Sequence, residues 1–139
     1  MELRRKTVGA IIGRFDIVHS GHVNAIKWCS SQTDVLMAGI ASDEYCCNHA
    51  PVTNEWRERA AVIGGMKYID SVFCYNSHGL IDLLNEIRHI DILFLSTEVQ
   101  QCKDRSVDIP LLESIVKVAW IPRTPGVSTT GSKDGIRRQ

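Results

Sequence analysis

The sequence has 139 residues, close to the commonest size of a single folded domain, so we expect one domain over residues 1–139. Hydrophobic residues make up 44% and charged residues 23%, the balance of an ordinary globular protein, which argues against a disordered or fibrous chain. Sixteen basic and sixteen acidic residues leave no net charge, which argues against nucleic acid or an anionic membrane as a partner.

The first half of the chain alternates strand-like and helical segments. Residues 7–12 form a short β-branched run that predicts a strand, and the spacing of Val23 and Trp28 indicates a helix after it. Residues 34–40 predict a second buried strand, which completes a βαβ unit with a right-handed crossover. Asn54 is the expected N-cap of the next helix. Its apolar residues fall near one face: Trp56, Ala60, Ile63 and Met66.

The second half continues the alternation. Residues 90–95 are almost continuously hydrophobic, which is typical of a parallel strand covered on both faces. The other predicted elements are strands at 70–75 and 115–121 and helices at 80–87, 110–114 and 128–138. Together they predict a Rossmann-like, doubly wound α/β fold with about five mainly parallel strands and helices on both faces.

Cysteine usage and the lengths of the apolar runs indicate the compartment. The five cysteines include no C-x-x-C pair and no zinc-like spacing with histidine, so a reduced, cytoplasmic environment is expected. No apolar run is long enough for a bilayer span, and residues 1–6 do not resemble a signal peptide. We therefore expect no membrane partner.

The loop after the first predicted strand carries the residues most suited to chemistry. Gly13 allows a ligand to approach the backbone, and the following helix start favours an anion through its unpaired N–H groups and its dipole. His19 and His22 are three positions apart, a spacing that places both imidazoles on one side of the helix. A zinc site would need a third ligand, and only Asp16 is near. The loop predicts a polyphosphate site.

The segment after the last predicted strand is a second candidate anion site. Arg123 supplies a permanently charged fork, and Ser128 and Thr129 add hydroxyl donors at a helix start. An ordinary N-cap after a Pro-Gly turn would explain Gly126 to Thr129 but not the basic residue at the strand end. By contrast, Arg57 and Arg59 by themselves fit a solvated helix face.

These segments resemble the cytidylyltransferase branch of the HxGH nucleotidyltransferase superfamily, over nearly the whole chain. His19-Ser20-Gly21-His22 matches the HxGH motif, and Gly13-Arg14-Phe15-Asp16 stands where the family has G-T-F-D. Residues 123–130 are similar to the family's R-T-x-G-[IV]-S-T-T signature.

The resemblance implies a direct displacement, in which a substrate phosphate oxygen attacks the α-phosphorus of a nucleoside triphosphate and pyrophosphate leaves. It implies catalytic roles for His19, His22, Arg59 and Arg123, a Mg²⁺ ion with the triphosphate, and a homodimer. Asp16 is either an indirect ligand of that ion or a residue that fixes the loop; no direct protein ligand to a metal is predicted. The residues expected to bind the nucleotide are Gly13, Arg14, Phe15, Asp16, Gly21, Glu98, Thr124, Gly126, Val127, Ser128 and Thr129.

The sequence also departs from the cytidylyltransferase pattern. Arg14 replaces Thr, and G-R-F is similar to adenylyltransferases that make dinucleotide cofactors. The G-D-D-W-like segment reads Ser-Thr-Glu-Val at 96–99, with only Glu98 acidic. Cysteine, asparagine and histidine occupy residues 46–49, where phosphate-binding lysines are expected.

Three functions fit these observations. The first is a transferase that uses CTP and a small alcohol phosphate of the glycerol-3-phosphate type. The second is an ATP-dependent adenylyltransferase acting on a sugar phosphate or cofactor precursor. The third is a nucleotide-binding regulatory protein that has lost turnover. A phospho-acceptor domain, a dinucleotide-binding domain and a P-loop protein are disfavoured because their acidic cluster or glycine motifs are missing.

Overall fold

The computed structural model describes residues 5–44, 46, 51–76, 85, 89–96 and 109–123. In chain order these contain β1 (Val8–Gly13), α1 (Ser20–Ser31), β2 (Val35–Ala41), α2 (Trp56–Gly64), β3 (Ser71–Tyr75), β4 (Ile92–Leu95), α3 (Ile109–Ile115) and β5 (Lys117–Trp120). The predicted helix at 128–138 and most of the one at 80–87 lie outside the described residues.

The described strands form one sheet in the order β3-β2-β1-β4-β5, and every neighbouring pair is parallel. β1 is central: Ala10 pairs with Met37 of β2 on one side and with Leu93 of β4 on the other. The predicted doubly wound α/β fold is confirmed. Within the described residues, no helix is long and apolar enough to cross a membrane.

The strands bury alternate side chains in two hydrophobic cores, one on each face of the sheet. One core contains Ile11 of β1 with Ile26 of α1 and Ile63 of α2. The other contains Ala10 of β1 with Leu112 of α3. The chain winds from β1 outward to β3 in one direction and from β4 to β5 in the other, so right-handed crossovers place α3 opposite α1 and α2.

Most predicted element ends are within one or two residues of those observed, and the differences have local causes. Asp70 lies just before β3, and its carboxylate accepts the Leu36 N–H at 2.8 Å. The predicted strand 115–121 begins too early, because Ile115 ends α3 and is 57% exposed. The helical hydrogen bond from the Val116 N–H to the Leu112 carbonyl delays the strand until Lys117. Met66 lies beyond the end of α2.

At Gly39, β2 packs closely against side chains of its two neighbouring strands. A Cβ atom there would lie 2.5 Å from Phe73 Cζ and 3.0 Å from Ile12 Cγ2. We expect Gly39→Ala to lower the free energy of unfolding by about 1–3 kcal/mol through overpacking. Denaturant unfolding of Gly39→Ala, Phe73→Leu and the double variant measures this. Because Phe73→Leu removes the clashing ring, the double variant should lose less than the two single variants added together; strict additivity would contradict the clash.

Candidate functional site

The site lies at the carboxyl edge of the sheet, at the point where the winding reverses. β1 lies between β2 and β4, and the crossovers that follow β1 and β4 leave on opposite faces, which opens a crevice where ligands bind in such folds. The loop from Arg14 to His19 starts at this crevice. Arg123 follows β5 at the same edge and is exposed. β4 alone separates β5 from β1, two strand spacings or about 10 Å in total.

Phe15 shapes the first loop through a left-handed backbone. Its φ is 51°, a conformation that is costly for a bulky residue, while the residue is only 6% exposed. The ring belongs to the same hydrophobic core as Ile11, and a Cβ on Gly13 would lie 3.3 Å from it. Burial of the aromatic ring offsets the backbone strain, so Phe15 holds the loop while its side chain faces the core.

His19 and His22 form a reciprocal cap at the start of α1. His19 is the N-cap residue, and its Nδ1 accepts the Gly21 N–H at 3.0 Å. The Nδ1 of His22 reaches back and accepts the His19 N–H at 3.1 Å. The arrangement follows the capping box, with imidazoles in place of the usual hydroxyl and carboxylate. The ring centroids are 4.1 Å apart, so the two imidazoles lie on the same side of the helix start.

These hydrogen bonds determine where each ring carries its proton. An Nδ1 atom that accepts a backbone N–H has no proton, so the neutral ring keeps its proton on Nε2. Burial, with a smaller repulsive contribution from His19, lowers the pKa of His22 from its ordinary 6.5 to about 4. At neutral pH His22 is an uncharged imidazole with an Nε2–H donor.

Asp16 joins the first loop to the segment before α2. Its carboxylate accepts the Thr53 N–H at 2.8 Å and the Asn54 N–H at 2.9 Å. The Asn54 side-chain amide donates back to the Asp16 carbonyl at 3.1 Å. The predicted N-cap role of Asn54 is therefore wrong: Glu55 is the N-cap residue and makes no side-chain cap bond. Of the two roles left open for Asp16, these contacts support the fixing of the loop.

Arg59 is turned into the protein. Its side chain is buried, and its guanidinium forms an ion pair of 2.6 Å with Asp43. The same group donates to the backbone carbonyls of Arg14 and Ala41 at 2.8 Å and of Asn54 at 3.0 Å. A solvated helix face, the interpretation that the sequence favours without the resemblance, is wrong for Arg59 and fits the exposed Arg57.

Asp43 is a part of this site that no sequence motif marked. It follows β2 at the carboxyl edge and also accepts the Trp56 N–H at 3.3 Å. The available signal was an acidic residue two positions after the end of a buried strand. Asp43 and Glu55 also line an open cavity of about 320 Å³ with residues 51–54. Within the described residues, no group of three or more His, Cys, Asp or Glu side chains could hold a metal ion.

The matched sequence model decides the family. A family model described as cytidylyltransferase-like covers residues 10–133. The chain belongs to this cytidylyltransferase-like family.

Individual relatives of this cytidylyltransferase-like chain have modest identity. The chain is 28% identical over 134 residues to ethanolamine-phosphate cytidylyltransferase of Arabidopsis thaliana, matching 91% of its own length but 32% of that protein. It is 24% identical to glycerol-3-phosphate cytidylyltransferase of Bacillus subtilis, covering 89% and 92% of the two chains. It is 27% identical to FAD synthase of Pyrococcus horikoshii, covering 85% and 82%.

A solved structure has the same fold. The lipopolysaccharide core biosynthesis protein of Thermoplasma volcanium superposes with a TM-score of 0.72 at 23% identity, covering 86% of this chain and 99% of that one.

The structure brings one part of the expected cytidylyltransferase site together. The loop residues Gly13 to Asp16, together with Gly21 and the two histidines, are contiguous at the start of α1, and Arg59 reaches the same loop from α2. Arg123 lies at the same edge of the sheet. Outside the described residues are Glu98, Thr124, Gly126, Val127, Ser128 and Thr129.

The lowered pKa of His22 makes the stability of this cytidylyltransferase-like domain depend on pH. The unfolded chain protonates this imidazole near pH 6.5, whereas the folded chain does so near pH 4. The contribution of neutral His22 to the free energy of unfolding is therefore fully present above about pH 6.5. It is lost as the pH falls toward 4, because the unfolded chain then binds a proton that the folded chain does not. We expect His22→Gln to unfold with a smaller loss of Tm between pH 7 and 4.5 than the wild type.

Scanning calorimetry at several pH values gives the Tm of the wild type and of His22→Gln. The prediction concerns the difference between the two Tm values at each pH. The exposed His89 provides the matched control: His89→Asn should keep the wild-type pH dependence. Parallel profiles for wild type and His22→Gln would contradict the assignment of a buried neutral imidazole.

Proposed function

We propose that this chain is a cytidylyltransferase that uses CTP and a small alcohol phosphate of the glycerol-3-phosphate type. An oxygen of the acceptor phosphate attacks the α-phosphorus in line, and a new P–O–P bond forms. The bond to the β-phosphate breaks, and its electron pair leaves with pyrophosphate. The products are a CDP-alcohol and pyrophosphate.

The paired imidazoles at the start of α1 are the observation that carries the nucleotidyl-transfer step of this proposal. Their Nδ1 atoms are held by the backbone, so each ring keeps an Nε2–H donor and no net charge in its neutral form. Two fixed donors beside a helix N-terminus suit the charge that develops on the phosphate oxygens at the five-coordinate phosphorus. Because these donors are already positioned, they need no reorganisation during the reaction.

The other parts of the proposed site are assigned by their chemistry. Arg123 would contact the triphosphate with its forked guanidinium, and the signature at 123–130 is the feature that favours CTP. Mg²⁺ enters as part of the substrate, the magnesium complex of the triphosphate, which keeps several waters on the ion. We expect a homodimer by resemblance, and a cytoplasmic location from the cysteine usage.

The alternative is transfer from ATP. The similarity to an FAD synthase and the replacement of the family's Thr by Arg14 favour it. The two activities share the imidazole pair and differ in the base that is bound.

A pyrophosphate-release assay that crosses CTP and ATP with a panel of alcohol and sugar phosphates tests the proposal. We expect turnover with CTP and glycerol 3-phosphate or a similar acceptor. Turnover with ATP alone would replace the proposal by the alternative. Nucleotide binding without pyrophosphate release under saturating substrates would identify a regulatory protein.

Two substitutions separate catalysis from helix capping. In His19→Asn the amide oxygen can still accept the Gly21 N–H, and in His22→Gln it can still accept the His19 N–H. Each variant keeps its cap bond but loses the imidazole donor. We expect each to lower kcat by about 10²–10³ while thermal unfolding at pH 8 stays near that of the wild type. Wild-type kcat in both variants would disprove the role of the imidazoles.

A further inference from the structure

The guanidinium of Arg59 is occupied by protein acceptors before any substrate arrives. Four of its five N–H donors have partners: the Asn54, Arg14 and Ala41 carbonyls and the Asp43 carboxylate. Its side chain is 0% exposed. A group committed in this way has little left to offer a phosphate, so direct contact with the reacting atoms does not account for its position.

The partners of Arg59 belong to three segments that are far apart in sequence. Arg14 is in the loop that leads to the histidines, Ala41 ends β2 with Asp43 just beyond it, and Asn54 precedes α2. A buried cation strongly favours any arrangement that keeps all of its acceptors in place, because losing one leaves part of its charge uncompensated. Arg59 therefore fixes the loop relative to both other segments.

Asp16 makes a second connection between two of these segments, with the polarity reversed. Arg59 donates to carbonyls of the loop and of the segment before α2, whereas Asp16, on the loop, accepts N–H groups of Thr53 and Asn54. Asp16 and Arg59 thus connect the same two backbone segments, and both bind Asn54. The Asn54 N–H donates to Asp16, and the Asn54 carbonyl accepts from Arg59.

We propose that Arg59 and Asp16 are positioning residues for nucleotidyl transfer, which hold the loop 14–19 against the segment 53–55 and so set the position of the His19–His22 pair. The assignment of Arg59 and Asp16 as positioning residues rests on the proposed function. The finding that they join the two backbone segments does not depend on it. Arg59 acts through the loop and does not contact the substrate.

Lysine cannot replace this arginine. It retains the positive charge, but its single ammonium group has no planar fork to reach three carbonyls and a carboxylate at once. Asparagine at position 16 is a matched change on the other side of the contact, because its amide nitrogen would face a backbone N–H where a carboxylate oxygen now accepts. Arg57→Lys is the control, since Arg57 lies on the same helix and is exposed.

The experiment compares Arg59→Lys, Asp16→Asn, the double variant and Arg57→Lys. The measurements are kcat and KM in pyrophosphate release, and amide hydrogen exchange of the ligand-free protein over residues 14–22 and 51–56. We expect each single variant to lower kcat by about ten- to a hundredfold, with little change in the KM for the triphosphate, because the donors are misplaced. Exchange should rise in both regions without any ligand.

The double variant is decisive. Because both residues hold the same two segments together, its kcat should fall by much less than the product of the two single effects. Arg57→Lys should behave as the wild type in every measurement. Multiplicative losses in kcat, unchanged exchange in the ligand-free protein, or a raised KM for the triphosphate with unchanged kcat would each overturn the proposal.

Two further outcomes are distinguishable. If Arg59→Lys fails to fold, as circular dichroism would show, Asp16→Asn tests the proposal through its exchange and its kcat. If the wild type releases no pyrophosphate with any substrate pair, the proposed function fails. The claim that Arg59 and Asp16 connect the two segments is then tested by amide hydrogen exchange alone. Increased exchange of the variants in both regions would support it, and unchanged exchange would contradict it.

Discussion

The need to compensate a buried guanidinium organises this edge of the sheet. Arg59 brings a permanent charge to a position with almost no access to water, where an uncompensated charge would be prohibitive. Its acceptors are main-chain carbonyls from separate segments together with one carboxylate. The backbone path of these segments is therefore fixed by electrostatics, whereas the sheet beneath them is fixed by hydrophobic burial.

The fold was largely predictable because strong local patterns agree with the tertiary structure. Continuous apolar runs marked β2 and β4, and the helical spacing after Gly13 marked α1. Element ends were predictable only where local chemistry decides them. Asn54 is a good N-cap residue by type, but its backbone N–H and its side chain are both used by Asp16, a partner 38 positions away that no local pattern reveals.

The candidate site was also predictable only in part. The motif of His19 and His22 indicated an anion site from spacing alone, and the structure places the two rings 4.1 Å apart. The use of both Nδ1 atoms as capping acceptors was not predictable, because histidine is not a usual capping residue. Arg59 was also invisible as a buried residue, because a helical arginine carries no sign of which carbonyls will surround it.

The position of β1 at the centre of the sheet determines the order in which the site can be assembled. One edge of β1 pairs with β2, which follows closely in the chain, but its other edge waits for β4: the Val8 N–H meets the Asp91 carboxylate 83 positions away. Contacts of such separation form slowly, because a long loop has to close first. During synthesis the histidine loop emerges before β4, so one edge of its strand stays unpaired until β4 has also left the ribosome. A chain that has not yet reached β4 therefore exposes the unpaired edge of β1, which can pair with other chains. It also lacks the crevice between β1 and β4.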